Sequence, residues 1–521
     1  MTETVGLEAV YTMRVVRVLA LASVLVSACG TFIAAAPANV PAAGSRTNVI
    51  VILGDDQGYA DVGWQGTPGL VTPNMDRLAR EGTRFDQFRL VACCCSPSRV
   101  SLLTGRYPDR TGIIRVLPPG SVAGLLPTEV TLGEVFAKGG YKVGLVGKWH
   151  IGDGPSMRPW NRGYETRACL LWGQIGSTYF DGEAFWGEGD RRKMTGYYTD
   201  VITAEAVGFL RTHRDDPFFL WVAHHAPHNP PSAPPERVER CKARLPQGLD
   251  PKLAQLRATH HAMLEVLDDG IGALLDTLDQ TGLAARTIVV HLGDNGGLAN
   301  TRAHVCYPFL GAKGLLTEGG VRVPFVVRWP GRVPASRASN AMLTALDLFP
   351  TLLAATGLEP PAGVLLDGQS ALDAWTGTGL GPPPDRPIFA THGPGKQSLH
   401  YPEKLEKKAL QRAVWCPPWK YVAVVRETGE QSESLLRLDE RTSLRAPTGK
   451  VAFSDVVAAA RTIVEADGRL DEPFFEVLEH KQDRPDVLAA MRSALNAWEK
   501  SLADGSPAPT AIAMPAPSTG R

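Results

Sequence analysis

The sequence is short of cysteine, of charge imbalance and of long apolar runs, and each shortage removes a class of protein. Eight cysteines in 521 residues are too few for a disulfide framework, so a core must come from apolar burial. The 54 Lys and Arg are matched by 54 Asp and Glu. That balance leaves no basic field to hold a polyanion, and it sets nucleic acid aside as a partner. The N-terminal apolar run, residues 18–28, is shorter than the roughly 20 residues of a membrane-spanning helix. There is no internal repeat. What is present, 44% hydrophobic and 21% charged residues, is the composition of a globular chain. Its length suits one large domain with a smaller companion.

The N-terminus carries a leader pattern. A basic segment, Met13-Arg14-Val15-Val16-Arg17, precedes the apolar run, which closes on Val26-Ser27-Ala28-Cys29-Gly30. Small residues before a cysteine resemble a bacterial lipoprotein signal, in which Cys29 becomes the lipidated first residue. Ala34-Ala35-Ala36 offers a rival site for ordinary cleavage. Residues 1–36 are therefore expected to be an export signal of lipoprotein type, and 37–46 a linker. The expected location is the periplasm or cell surface, with a lipid anchor at Cys29.

Residues 48–53, NVIVIL, form a continuous β-branched run, as a strand buried on both faces requires. Similar short runs at 142–146, 218–222, 287–291 and 323–328 are separated by helical patterns at 73–81, 253–278 and 342–356. Such alternation predicts an α/β fold with a large, mostly parallel central sheet flanked by helices. A Gly/Pro-rich stretch at 377–387 divides a large domain, 47–380, from a small C-terminal α+β domain, 381–505. In the latter, 420–426 and 434–438 read as antiparallel strands and 485–502 as a closing helix. Residues 506–521 hold too little apolar surface to offset ordering and are expected to be disordered.

In open α/β sheets ligands gather beyond the carboxyl ends of the strands. The first strand leads into Gly54-Asp55-Asp56-Gln57-Gly58, whose adjacent carboxylates repel unless a cation neutralises them. Read alone, the motif fits a solvated turn equally well. The run at 287–291 leads into Gly293-Asp294-Asn295-Gly296-Gly297. Three carboxylates and a carboxamide are hard oxygen donors, which points to Ca²⁺ or Mg²⁺ and away from zinc. The consecutive Cys93, Cys94 and Cys95 cannot span the corners of one tetrahedral zinc site.

Cys95-Ser96-Pro97-Ser98-Arg99, continuing through Leu103-Thr104-Gly105-Arg106, resembles the signature of the sulfatase family in the alkaline-phosphatase-like superfamily. Gly147-Lys148-Trp149-His150, His225-Ala226-Pro227-His228-Asn229-Pro230, Asp294-Asn295-Gly296 and Gly311-Ala312-Lys313-Gly314 follow in the family's order. The likeness runs from about Asn48 to Pro330. It implies that a formylglycine-generating maturation enzyme converts Cys95 to Cα-formylglycine, whose hydrate attacks sulfur. It places metal ligands on Asp55, Asp56, Asp294, Asn295 and formylglycine 95. It places the sulfate-contacting bases on Arg99, Lys148, His150, His228 and Lys313. By the family's mechanism Asp294 takes the proton of the attacking hydroxyl, while His228 and Lys313 assist the departing alcohol. His150 then deprotonates the second hydroxyl, so that sulfate is expelled. The spacing to Pro230 selects His228 over His224 and His225.

The resemblance thus implies an arylsulfatase-like hydrolase releasing inorganic sulfate from an aryl or carbohydrate sulfate. Residues 435–442 depart from the Leu-Tyr-Asp-Leu stretch of many relatives, and 173–179 matches nothing assignable, so the substrate and the oligomeric state are not legible. Two other readings stay open at this point. One is a phosphonate monoester or phosphodiester hydrolase of the same superfamily. The other is an inactive, surface-anchored binding protein.

Overall fold

In the computed structural model the run Asn48–Gly54 is a strand buried along its whole length. Val49, Val51 and Leu53 enter one hydrophobic core, while Ile50 and Ile52 enter another on the opposite face. This is the outcome of an unbroken β-branched run, since alternate side chains point to opposite faces. The described residues are 46–172, 179–298, 306–394, 409–443, 473–475 and 478–515. The expected leader, the linker up to residue 45 and most of the unassigned 173–179 stretch lie outside them. None of the described helices is long and apolar enough to cross a membrane.

Asn48–Gly54 lies between Thr287–Gly293 and Phe218–Ala223, with Lys142–Lys148 and Glu165–Leu170 beyond the latter, all parallel. Antiparallel Glu183–Trp186 and Asp190–Lys193 extend that edge. At the other edge stand Phe325–Arg328, antiparallel to its neighbour, then Thr83–Phe85 and Arg337–Ser339. The result is a ten-stranded, mostly parallel sheet. One face is covered by Pro73–Glu81, Tyr198–Thr212 and the 30-residue helix Pro251–Gln280. Cys95–Thr104, Leu132–Lys138 and Ala345–Thr356 cover the other. The expected α/β architecture is the observed one.

A second, four-stranded antiparallel sheet runs Ile388–His392, Leu410–Cys416, Trp419–Val425, Gln431–Arg437, with the helix Pro485–Asp504 packed on it. Its core is not separate from the large domain. Val91, Cys93, Tyr107, Leu315 and Val321 share one apolar cluster with Trp415, Val422 and Trp498.

Two expectations need correction. The helix expected over 342–356 starts only at Ala345. Leu343 and Thr344 instead pair as a short strand with Phe88 and Arg89. Thr344 and Asp347 then close a reciprocal cap, with the Thr344 N–H donating to Asp347 Oδ2 at 2.7 Å. The tail expected to be disordered from Ser506 is laid down through residue 515. Ala508, Ile512 and Met514 pack against the small sheet's core, a contact that composition averaged over the tail conceals.

Candidate active site

Four adjacent parallel strands end at one edge of the large sheet. Their register pairs Gly54 with Gly293, Leu53 with Ala223, and Ala223 with Gly147. The residues following them, Asp55 and Asp56, Asp294 and Asn295, His224 to His228, and Lys148 to His150, are therefore delivered to one place. Close packing of these ends depends on glycine. A Cβ on Gly293 would lie 2.4 Å from the Gln57 carbonyl oxygen. Gly147 takes φ +95° at an irregularity between Val146 and Lys148, and a Cβ there would lie 2.1 Å from the Ala223 carbonyl oxygen. Such bulges re-aim the next side chain. Here it is Lys148, fully buried, with Nζ 2.5 Å from Asp55 Oδ2.

Cys95 is the first residue of a helix buried on every side. Its Sγ receives Lys313 Nζ at 3.1 Å and lies 3.5 Å from Asp55 Oδ1 and 3.9 Å from Asp56 Oδ1. Arg99, one turn on, donates from Nε to Asp294 Oδ2 at 2.8 Å and from Nη1 to the Lys148 carbonyl at 2.9 Å, with Nη2 in ion-pair contact with Asp294 Oδ2 at 2.7 Å. The Asp56 N–H donates to Asp294 Oδ1 at 3.0 Å, and Lys313 Nζ lies 2.6 Å from Asp56 Oδ1. His228 Nε2 approaches Asp56 Oδ2 at 3.5 Å. Eight residues, Asp55, Asp56, Cys95, Arg99, Lys148, His228, Asp294 and Lys313, are thus joined in one cluster. His224 and His225 are buried with neither ring nitrogen hydrogen-bonded.

The electrostatics follow from burying three carboxylates beside three fixed cations. Burial is the largest influence on Asp55 and Asp56 and opposes their ionisation, but Lys148 and then His228 and Arg99 at the first, and Lys313 and then His228 and Lys148 at the second, together outweigh it. Both carboxyls are held below their usual range. Burial pushes the Cys95 thiol up to about 12 despite Lys148 and Lys313. His150 is held well below its usual value by burial, and then by Lys148 and Arg99. Its Nε2 faces the Leu117 carbonyl at 3.0 Å and must carry the proton. Nδ1 is then the free acceptor, and it is buried with no partner.

Asp55, Asp56, Cys95 and His228 each offer a ligand atom, all within 4.8 Å of one another, so the cluster can hold a metal ion. Asp56 Oδ2 and Asn295 Oδ1 are buried without hydrogen bonds, and an oxygen-seeking cation would satisfy both. Asn295 Nδ2 meets Asp56 Oδ1 at 2.7 Å, and a half-turn of the amide exchanges its two terminal atoms. The donor set fits a hard divalent ion.

Sequence reasoning missed two neighbours. The Tyr179 hydroxyl faces the carbonyls of His225 and His228 at 2.8 and 2.7 Å, holding the turn that carries His228. His392, from the small sheet, places Nδ1 3.6 Å from Cys94 Sγ. Neither stands in a motif, and His392 lies nearly 300 residues from its contact, so local pattern offers no signal for either.

A mostly parallel sheet bearing carboxylates and bases at its strand ends, beside a small antiparallel sheet, defines an alkaline-phosphatase-like fold. A solved structure of the phosphonate monoester hydrolase of Agrobacterium radiobacter shares the fold, with TM-score 0.59 at 20% identity, covering 88% of this chain and 96% of that one. The family model Sulfatase matches residues 47–358, and the chain belongs to the sulfatase family. It is 32% identical over 402 residues to mouse N-acetylgalactosamine-6-sulfatase, covering 71% of this chain and 72% of that protein. It is 32% identical over 406 residues to bovine arylsulfatase A, covering 69% and 76%. The structure of Ps i-CgsB in complex with k-i-k-neocarrahexaose superposes with TM-score 0.67 at 27% identity, covering 87% and 92%. The protein is accordingly an enzyme that hydrolyses sulfate esters.

Proposed function

We propose that the substrate is a carbohydrate sulfate and that the nucleophile is the hydrate of a formylglycine made from Cys95 by a maturation enzyme. The observation that carries this reading is the environment of Cys95 itself. A thiol pushed up to about 12 stays protonated at neutral pH and is a poor nucleophile. Yet it stands at a helix N-terminus with Lys313 Nζ at 3.1 Å and Asp55 Oδ1 at 3.5 Å, where an anionic ester would be held. Sγ here marks the place of a hydrate oxygen. The hydrate supplies an attacking hydroxyl and a second one that allows sulfate to be expelled, which a serine could not. A Ca²⁺ ion held by Asp55, Asp56, Asp294 and Asn295 would supply Lewis-acid polarisation of a sulfate oxygen.

The chain's own groups then divide the work. Arg99 and Lys148 fix Asp294 and Asp55 and present positive charge to the sulfate. Asp294 has Oδ2 taken by Arg99 and Oδ1 accepting the Asp56 N–H, and it takes the proton of the attacking hydroxyl on the remaining lone pair of Oδ1. His228 and Lys313, the more exposed bases of the cluster, face the departing alcohol, where one supplies the single proton it needs and the other stabilises the oxygen by a hydrogen bond. His150 accepts at Nδ1 the proton of the second hydroxyl. The sugar assignment is supported by the name of the mouse relative and by the oligosaccharide bound to the Ps i-CgsB structure.

The test is intact-mass analysis of the peptide around Cys95 after co-production with a formylglycine-generating enzyme, which should show a loss of about 18 Da as CH₂SH becomes CHO. Cys95→Ala should abolish turnover. Matched aryl sulfate, phosphodiester and phosphonate substrates should rank with the sulfate first. Full activity in Cys95→Ala, or a phosphonate preferred over sulfate, would reject this reading.

A further inference from the structure

His392 is the last residue of the strand Ile388–His392 in the small sheet. Its placement is not incidental to that sheet's edge. The Gly393 N–H donates to the Ile114 carbonyl at 2.8 Å, and three residues further along that loop the Leu117 N–H donates to Ser96 Oγ at 3.0 Å. The Leu117 carbonyl in turn holds His150 Nε2. The end of the small sheet, the loop 114–117 and the start of the nucleophile's helix are thus tied into one wall. In that wall His392 turns Nδ1 toward Cys94 Sγ, at 3.6 Å. Cys94 is the residue before the nucleophile, and consecutive Cα atoms are only about 3.8 Å apart.

His392 is half-buried, its Nδ1 is turned to Cys94 Sγ, and among the described residues no hydrogen bond holds its Nε2. Among the described residues no carboxylate faces it, and burial pushes the imidazole down to about 4, so near neutral pH the ring is uncharged. A neutral imidazole with one open nitrogen suits a hydroxyl better than a sulfate or carboxylate. The sulfate already has Lys148, Arg99 and Lys313 on its side of the site. What remains to be recognised beside Cys94 is the alcohol portion of the ester.

We infer that His392 is a specificity-determining residue, hydrogen-bonding through Nε2 to a hydroxyl of the leaving sugar. This rests on the proposal of a carbohydrate sulfate. It adds that the small sheet, and not only the large one, contributes a substrate contact.

The experiment compares the wild type with His392→Ala and His392→Gln on sugar 6-sulfates, including N-acetylgalactosamine 6-sulfate, and on 4-nitrophenyl sulfate, whose leaving group lacks sugar hydroxyls. His392→Ala should raise KM for the sugar sulfate about tenfold, the worth of one hydrogen bond, with kcat little changed. Both constants for 4-nitrophenyl sulfate should stay within about twofold, and His392→Gln should recover most of the loss. Should His392→Ala fail to fold, judged by its melting curve, inhibition of 4-nitrophenyl sulfate turnover by the free desulfated sugar serves instead. That inhibition should be clear in the wild type, nearly as strong in His392→Gln and weaker in His392→Leu, which keeps bulk but no polar atom. Equal losses on both substrates would mean that His392 acts through Cys94 on the nucleophile, and would overturn the inference. So would unchanged constants on both. If the wild type turns over 4-nitrophenyl sulfate but no sugar sulfate, the carbohydrate proposal fails and this inference with it. If sugar sulfates are good substrates and the variants do not discriminate, this inference alone fails.

Discussion

Replacing His150 with alanine separates the two halves of the reaction. The imidazole is pinned by the Nε2–H bond to the Leu117 carbonyl at 3.0 Å, which leaves Nδ1 as a buried acceptor with no protein partner. Burial, Lys148 and Arg99 keep the ring neutral, so the acceptor is available across the ordinary working pH range. Loss of a positioned base slows its step by about 10²–10⁴-fold. If that step is release of sulfate from the enzyme, the first turnover on 4-nitrophenyl sulfate is untouched. The variant should then release about one nitrophenol per active site in a burst, followed by turnover slowed by that factor. Stopped-flow absorbance reads the burst, and mass spectrometry of the quenched protein should show retained sulfate. The variant also strips the Leu117 carbonyl of its donor, so stability should fall by about 1–3 kcal/mol. That lowers burst amplitude through the folded fraction but does not abolish the burst. His228→Ala is the contrast. It should show no burst and should lose more rate, about 10²-fold, on a sugar sulfate than on the activated phenol. A linear time course for His150→Ala, with equal losses on both substrates for both variants, would refute the assignment of separate steps.

Elemental analysis of the wild type should find a single Ca²⁺ or Mg²⁺ per chain, and Asp56→Ala should lose it, because Asp56 contributes a buried oxygen with no hydrogen bond; zinc that survives dialysis and supports turnover would reject this. Asp109 offers a test of stability against pH, since burial pushes its carboxyl up to about 6 against the ordinary 3.8. Between those values the folded chain keeps a proton that the unfolded chain has released, so this group's contribution falls as pH rises from about 4 to 6 and is constant above. The melting temperature of Asp109→Asn relative to wild type should climb over that interval, an effect of order 1–2 kcal/mol after allowing for partial exposure, and a flat difference would show that the group is not buried in this way.

The sheet was legible in the sequence because a strand buried on both faces leaves a mark that survives without tertiary context. Asn48–Gly54 and Thr287–Gly293 are runs that little but a parallel sheet would bury. The residues after them could be grouped because parallel strands in register share one end. That end is where Asp55, Asp56, Asp294 and Asn295 meet. Helix starts were less legible wherever pairing competed with helical pattern. Leu343 has helix-like neighbours, yet it pairs with Phe88, a partner some 250 residues away. Asp294 shows a finer limit. Reading it as a metal ligand from its motif was reasonable, but the motif carries no sign that Arg99 occupies its Oδ2 at 2.8 Å. That contact depends on a helix from another part of the chain. Tyr179 and His392 were illegible for the same reason, because their roles arise from packing and not from local pattern.

Glu318 shows how the small sheet's remote contribution is held in place. It is buried and held as a carboxylate well below its usual range, with Arg89 and then Lys420 and Arg322 overcoming burial. Arg89 Nη2 lies at 2.7 Å, Arg322 Nη1 at 3.2 Å and Lys420 Nζ at 3.5 Å, and the Trp415 indole N–H donates to it at 2.7 Å. Arg89 belongs to the segment that leads into Cys93–Cys95, and Glu318 follows Lys313 by five residues. Trp415 and Lys420 belong to the small sheet. A buried ion cluster of this kind is weak evidence for stability, since desolvation offsets most of its attraction. An apolar interface would join the two parts at least as strongly, but it would tolerate sliding. A carboxylate shared between fixed donors from both parts does not, because any shift leaves a buried charge unpaired at a penalty of several kcal/mol. Sliding is what a site assembled from two sheets must prevent. An ångström of play would carry His392 away from Cys94 while leaving the nucleophile and its bases intact.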